Sequence, residues 1–150
     1  MDPMSKTMAL LIEENGEIAT PRVAGLADAD HPGGSFRHIR DIIDSAQPEG
    51  FEVPNTSGLV VWFDGLAFQR MRRTNMVASF AFAAAFDLPL QALPGPLMIT
   101  GGSVAEPQPL TPFGIIRAAR AFGLALEENE FRWLFRHALR CRRAVARSGG

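Results

Sequence analysis

Cysteine is nearly missing from this chain of 150 residues. The single thiol, Cys141, excludes a disulfide framework and any cysteine-cluster zinc site. Tyrosine is absent while phenylalanine occurs 11 times, so the aromatic area is meant for burial more than for wet contact. Lysine occurs once, as Lys6, which leaves no lysine for a Walker-type phosphate loop. Long apolar runs are missing too. The longest nearly uncharged apolar stretch, Met76 to Phe86, is about half the ~20 residues that a membrane span requires. The opening residues lack the basic-then-apolar order of a secretory signal. A soluble, cytoplasmic protein without a membrane partner is the expectation.

What is present suffices for a core. Apolar residues make up 47% and charged residues 21%, which excludes wholesale disorder. A chain of this length buries roughly two-thirds of its unfolded surface without a disulfide or metal. The net charge of −1 hides a division. Residues 1–69 hold eleven acids against four bases, and residues 70–150 hold eleven arginines against five acids. Beyond Glu130 there are six arginines and no acid. Such asymmetry fits an anionic partner, and it fits equally well two halves that meet each other.

Patterning predicts the elements. Thr7 to Glu13 reads as a buried strand, Asn15-Gly16 as a hairpin turn with both residues able to take positive φ, and Ile18 to Val23 as the return strand, pushed to an edge by Pro21. Ser35 is a candidate cap for a helix carrying Phe36, Ile39, Ile42 and Ile43, which Pro48 and Gly50 end. Phe51 to Pro54 is short and extended. Leu59 to Asp64 is the strongest strand, and Asp64-Gly65 signals a turn into a partner strand over Leu66 to Arg70. Thr74 or Asn75 caps a helix from Met76 to Phe86, which is apolar all round and so expected to be buried on most sides. Leu97 to Thr100 is a strand, and Ser103 to Pro109 is a linker. Two helices follow, one from Thr111-Pro112 with Ile115, Ile116, Ala119, Phe122 and Leu126 on a face, the other from about Glu130 to Arg147. The predicted class is α+β: a small, mostly antiparallel sheet with helices packed on one face and a C-terminal helical pair. The predicted division is a core domain over 1–105 and a helical hairpin extension over 110–150.

Four stretches, in this order and spacing, carry a resemblance: Ala9 to Gly16; Ile42-Ile43 with Gly50 to Val53; Leu59 to Phe63 with Asn75 to Ala78; and Gly95 to Gly102. Together they resemble a family of small phage and actinobacterial mobile-element proteins of unknown function, over roughly residues 8–102. The chain departs from that pattern in its longer loop at 21–34, in the turn from Asp64 to Gln69 and in nearly all of 110–150. The resemblance implies a compact α+β domain in a mobile-element setting and supplies no catalytic residues.

The most specific feature in the residues themselves is an arginine stripe. Arg132, Arg136, Arg140, Arg143 and Arg147 are spaced 4, 4, 3 and 4 apart, which on a helix puts them on one face beside Trp133 and His137. Over ~22 Å of helix such a row can follow a phosphate backbone, with Trp133 for stacking. It can also be a solvated polar face, or face an acidic protein. Other patterns are weak. Arg117 to Glu128 has the look of a first helix and turn of a helix-turn-helix, but no glycine-bearing turn follows. Gly33-Gly34-Ser35 before a helix can bind an anion but lacks a nucleotide fingerprint. Asp28, Asp30, His31 and His38 lack metal-ligand spacing. Cys141, among arginines, reads as a small residue at the edge of an apolar face. No catalytic site, cofactor or metal is expected.

The function expected from all this is that of a non-enzymatic phage or mobile-element accessory protein. It binds and sterically blocks a host protein, and the setting extends this to a component of host defence. The alternative is nucleic-acid binding through the Arg-rich C-terminal helix, at Arg132, Trp133, Arg136, Arg140, Arg143 and Arg147. A small enzyme with a site near Gly33 to His38 ranks third. Phe131, Trp133, Leu134 and Phe135 also leave a homo-oligomer open.

Overall fold

The computed structural model describes residues 8–21, 23, 34–54, 56 and 58–124. Among them are six strands and three helices. In chain order these are β1 (Leu10–Ile12), β2 (Ile18–Ala19), α1 (Gly34–Ile43), β3 (Pro48–Glu52), β4 (Leu59–Asp64), α2 (Met76–Phe86), β5 (Leu97–Gly102), β6 (Pro107–Gln108) and α3 (Pro112–Ala121). The strands form one antiparallel sheet in the order β2-β1-β5-β4-β3, with β6 added to β5. No helix among the described residues is long and apolar enough to cross a membrane.

The α+β class and the antiparallel sheet are as the patterning predicts. The placement of the helices on one face is corrected: they flank both. Side chains alternate along each strand. Leu10, Ile12, Leu59, Val61, Leu97 and Ile99 point to a core shared with Ala78 and Ala81 of α2 and with Ile115, Ala118 and Ala119 of α3. Ala9, Leu11, Val60, Trp62 and Met98 point the other way, onto Ile39 and Ile43 of α1. The signal was in the strands. Leu59 to Trp62 is apolar without interruption, and such a run belongs to a strand covered on both sides.

Two local readings also change. The β1–β2 connection is a three-residue loop instead of a two-residue turn. Glu13 N–H donates to Glu17 O, Gly16 N–H donates to Glu13 O, and of the Asn15-Gly16 pair only Gly16 has positive φ, at 88°. Leu66 to Arg70 is a set of tight turns and not a strand. The sheet partners of β4 are β3, which begins at Pro48 where the sequence suggested a break, and β5. The stretch expected to be a linker holds β6, which closes on β5 through Gly102, φ 76°. α1 begins at Gly34, so Ser35 lies within its first turn instead of at its cap.

α3 is part of the first core, through Ile115, Ala118, Ala119 and Phe122. Thr111 caps it, its Oγ1 accepting from Gly114 N–H at 3.0 Å. The last predicted helix lies outside the described residues.

Candidate functional site

Two buried polar residues shape one region of the surface. The first is Asp64, at the end of β4, whose side chain is wholly removed from solvent. Ser45 Oγ donates to its Oδ1 at 2.7 Å and Leu66 N–H to the same oxygen at 3.0 Å. Arg70 Nη1 donates to Oδ2 at 3.0 Å. Arg72 Nε lies 2.8 Å from Oδ2, a charge contact without hydrogen-bond alignment. Burial pushes the Asp64 carboxyl upward, but the bonds from Ser45, Leu66 and Arg70 and the Arg72 charge outweigh it and hold it below the usual carboxylate range. Arg70 and Arg72 also donate to the main-chain carbonyl of Asp44, which ends α1 in the left-handed region at φ 52°. One carboxylate therefore ties α1, β4 and the following turns together.

Those turns are wound tightly. Ala67 N–H donates to Asp64 O, Arg70 N–H to Leu66 O and Arg72 N–H to Ala67 O. Ala67 is buried beneath them, and the winding drives Phe68 and Met71 outward, 74% and 89% exposed. Nothing in the local sequence asks for that exposure; the Asp64 anchor imposes it.

The second organiser is Asn75, 1% exposed. Its Oδ1 accepts from Ala78 N–H at 3.0 Å, capping α2. Its Nδ2 donates to Glu13 O at 2.8 Å and to Gly95 O at 3.0 Å. Its backbone N–H donates to Leu93 O, and Leu93 N–H donates to Ser79 Oγ at 2.8 Å. The cap of α2 is thus also the clasp that holds the segment before β5 and the turn after β1.

Between these two anchored segments lies a cavity of about 130 Å³. Phe63 and Leu97 of the sheet, Ala78 of α2, Phe68 and the Leu93–Pro96 segment line it, with Glu49 of β3 beside it. The apolar surface continues past its mouth. Phe51 of β3 stacks on Phe63 at 5.3 Å, Phe63 meets Phe82 edge-on at 6.1 Å, and Phe82 stacks on Phe86 at 4.3 Å. α2 was expected to be buried on most sides; instead Met76, Val77 and Phe80 face outward, Phe80 at 58% exposure. The sheet has only one core for α2 to fill, and its buried side is met by the small residues Ala78, Ser79 and Ala81. Met76, Val77 and Phe80 of the same helix are left outside, while Phe82 and Phe86 are partly buried against the core.

A second hollow, of about 370 Å³, opens at the start of α3. Glycines 58, 101, 102 and 114, Thr111 and Arg117 line it. The Thr111 hydroxyl there is committed to its cap, and the hollow carries no buried ionisable group.

Arg132, Trp133, Arg136, Arg140, Arg143 and Arg147 lie outside the described residues, as do Asp28, Asp30, His31, Gly33 and Cys141. His38 is exposed on α1. Glu14 Oε1 accepts from Arg73 N–H at 2.9 Å, while Glu13 binds Asn75 through its main chain. Among the described residues no three His, Cys, Asp or Glu side chains gather as metal ligands. Phe68, Met71, Met76 and Phe80 escaped sequence reasoning, and the one signal, a helix without a polar side, covered only Met76 and Phe80. Compared with family models, curated proteins and solved structures, the chain matches none.

Proposed function

We propose that this chain is a protein-binding module, working by docking and steric occlusion and not by catalysis. The observation that carries the reading is the outward display of Phe68, Met71, Met76 and Phe80 around a small apolar cavity whose walls are pinned by Asp64 and Asn75. Large apolar side chains on a rigid frame fit a docking surface: little conformational freedom is lost on binding, and water is released from apolar area. The resemblance over residues 8–102 adds the setting, a phage or mobile-element accessory protein whose target is a host protein.

The test is site-specific photo-cross-linking in a lysate of the host cell. A photoreactive phenylalanine analogue replaces Phe68 in one preparation and Asp41, on exposed α1, in another. The expected result is one protein cross-linked from position 68 and not from 41. That protein, once purified, forms a stoichiometric complex that Phe68→Asp weakens at least tenfold while the melting temperature holds. A complex that is indifferent to Phe68→Asp and Met71→Asp overturns the reading. Salt-sensitive binding of DNA or RNA by the whole chain, in place of any protein complex, transfers the function to the arginine stripe.

A further inference from the structure

Strand β3 is an edge of the sheet, paired with β4 on one side and with nothing among the described residues on the other. The direction of its backbone groups follows from its two ends. Val53 N–H donates to Leu59 O, and Gly65 N–H donates to Gln47 O. Odd-numbered residues therefore face β4, and the N–H groups of Gly50 and Glu52 point outward. Pro48 contributes an outward carbonyl and no donor. On the face shared with α2, Glu49 and Phe51 stand side by side, opposite Phe63 and Val61. Glu49 borders the 130 Å³ cavity, and Phe51 is half exposed. β3 carries two exposed acids and no base.

These features occur together on one short edge: backbone donors without a strand partner among the described residues, an apolar cavity beside the first residues, and negative charge. We propose that the β3 edge accepts an extended, basic segment of the partner protein as an added strand. The segment pairs with Gly50 and Glu52 through its main chain. It seats an apolar side chain in the cavity between Phe63 and Phe68, on the face of Glu49, and places lysine or arginine against Glu52 on the opposite face. The charge selects this occupant over a second copy, because pairing two β3 edges gathers four carboxylates along one short ladder. The inference rests on the docking reading above and names the chemistry of the partner.

The probe is an octapeptide alternating lysine with phenylalanine and valine, capped at both ends. Its controls are the same peptide with glutamate for lysine, and one N-methylated at alternate residues. Amide hydrogen exchange is followed by NMR on the full chain. Saturating lysine peptide is expected to slow exchange at Gly50 and Glu52 at least tenfold, and neither control does so. Glu52→Pro removes an outward donor without touching the β3–β4 ladder and is expected to weaken the peptide at least tenfold. Glu49→Lys with Glu52→Lys does the same while leaving every backbone group in place, which covers the case in which the proline variant fails to fold. Absence of protection at millimolar peptide overturns the proposal, as does protection by the glutamate peptide. Protection that appears with the chain alone and grows with its concentration also overturns it, since the occupant is then a second copy. A partner complex lost in Phe68→Asp but unchanged in Glu52→Pro and in the lysine pair removes strand addition and leaves docking standing. A complex unchanged in all of these removes both.

Discussion

Asparagine and aspartate are near-equal caps at a helix N-terminus, and the helix dipole slightly favours the charge. If Asn75 were only the cap of α2, Asn75→Asp would be neutral or mildly stabilising. The geometry says otherwise. The Oδ1 bond to Ala78 N–H survives the change, but the Nδ2 group that donates to Glu13 O and Gly95 O becomes an oxygen facing oxygens. Two hydrogen bonds are lost, at about 1 kcal/mol each. Two buried carbonyls lose a donor, and a carboxylate is held against them at a site 1% exposed. A destabilisation of about 3 kcal/mol is expected, which for a chain of this length lowers the melting temperature by about 6–12 °C.

The pH dependence gives a second readout. Burial and the facing carbonyls raise the introduced carboxyl above its unfolded value of about 3.9. The deficit against wild type is then full well above the folded-state pKa and shrinks as pH falls through it, because the protonated acid regains one donor. Thr111→Asp is the internal control, since Thr111 Oγ1 caps α3 by accepting from Gly114 N–H, and the change leaves no comparable pair of carbonyls facing a carboxylate. Thermal melts followed by circular dichroism at pH 7 and pH 4.5 are the assay. An Asn75→Asp variant within about 0.5 kcal/mol of wild type, like an ordinary exposed substitution, refutes the clasp and leaves only the cap.

Three further outcomes follow from the same structure. Asp64→Asn strips the charge partner from Arg72 and Arg70; a loss of about 3 kcal/mol is expected from breaking a buried pair, measured by urea unfolding at pH 7. Because the folded Asp64 pKa is depressed, the wild-type chain keeps this contribution above the unfolded carboxyl value, about 3.9, and loses it as pH drops further, so the gap between the two proteins narrows in acid. Gly50→Ala places a Cβ 2.7 Å from the Trp62 ring, so a cost of about 1–3 kcal/mol and a shift in tryptophan emission are expected. Thr100→Val leaves the buried Trp62 indole N–H, now bonded to Thr100 Oγ1 at 2.9 Å, without that acceptor; about 1–3 kcal/mol is expected from calorimetry.

Much of the frame was legible because local chemistry and tertiary position agree. Leu59 to Asp64 is a strand by composition and a central strand in the sheet. Met76 to Phe86 is a helix at those bounds, with Asn75 as its cap. Pro112 sits just inside α3 and Thr111 just before it. What was illegible depended on partners far along the chain. Asp64-Gly65 satisfies the local rule for a hairpin, yet the Asp64 side chain is taken by Ser45, Arg70 and Arg72, and the chain winds into turns to bring those arginines back. Asn75 reads as a cap, while its bonds to Glu13 and Gly95 span 62 and 20 residues. No short window contains that information.

The outward apolar side of α2 was missed for a different reason. A helix that is apolar on every side was taken to need burial on every side. In α2 the small residues Ala78, Ser79 and Ala81 meet the core while Met76, Val77 and Phe80 point away from it. A helix optimised only for stability of this fold would carry polar residues on that outward side. The outward Met76, Val77 and Phe80 leave apolar area exposed, and the same holds for Phe68 and Met71, raised outward on turns that Asp64 holds. Side chains of this size, displayed on elements whose anchors are buried and fully committed, are stabilised only when something covers them. On the docking reading proposed above, the missing polar face of the helix answers to what the chain meets as well as to how it folds.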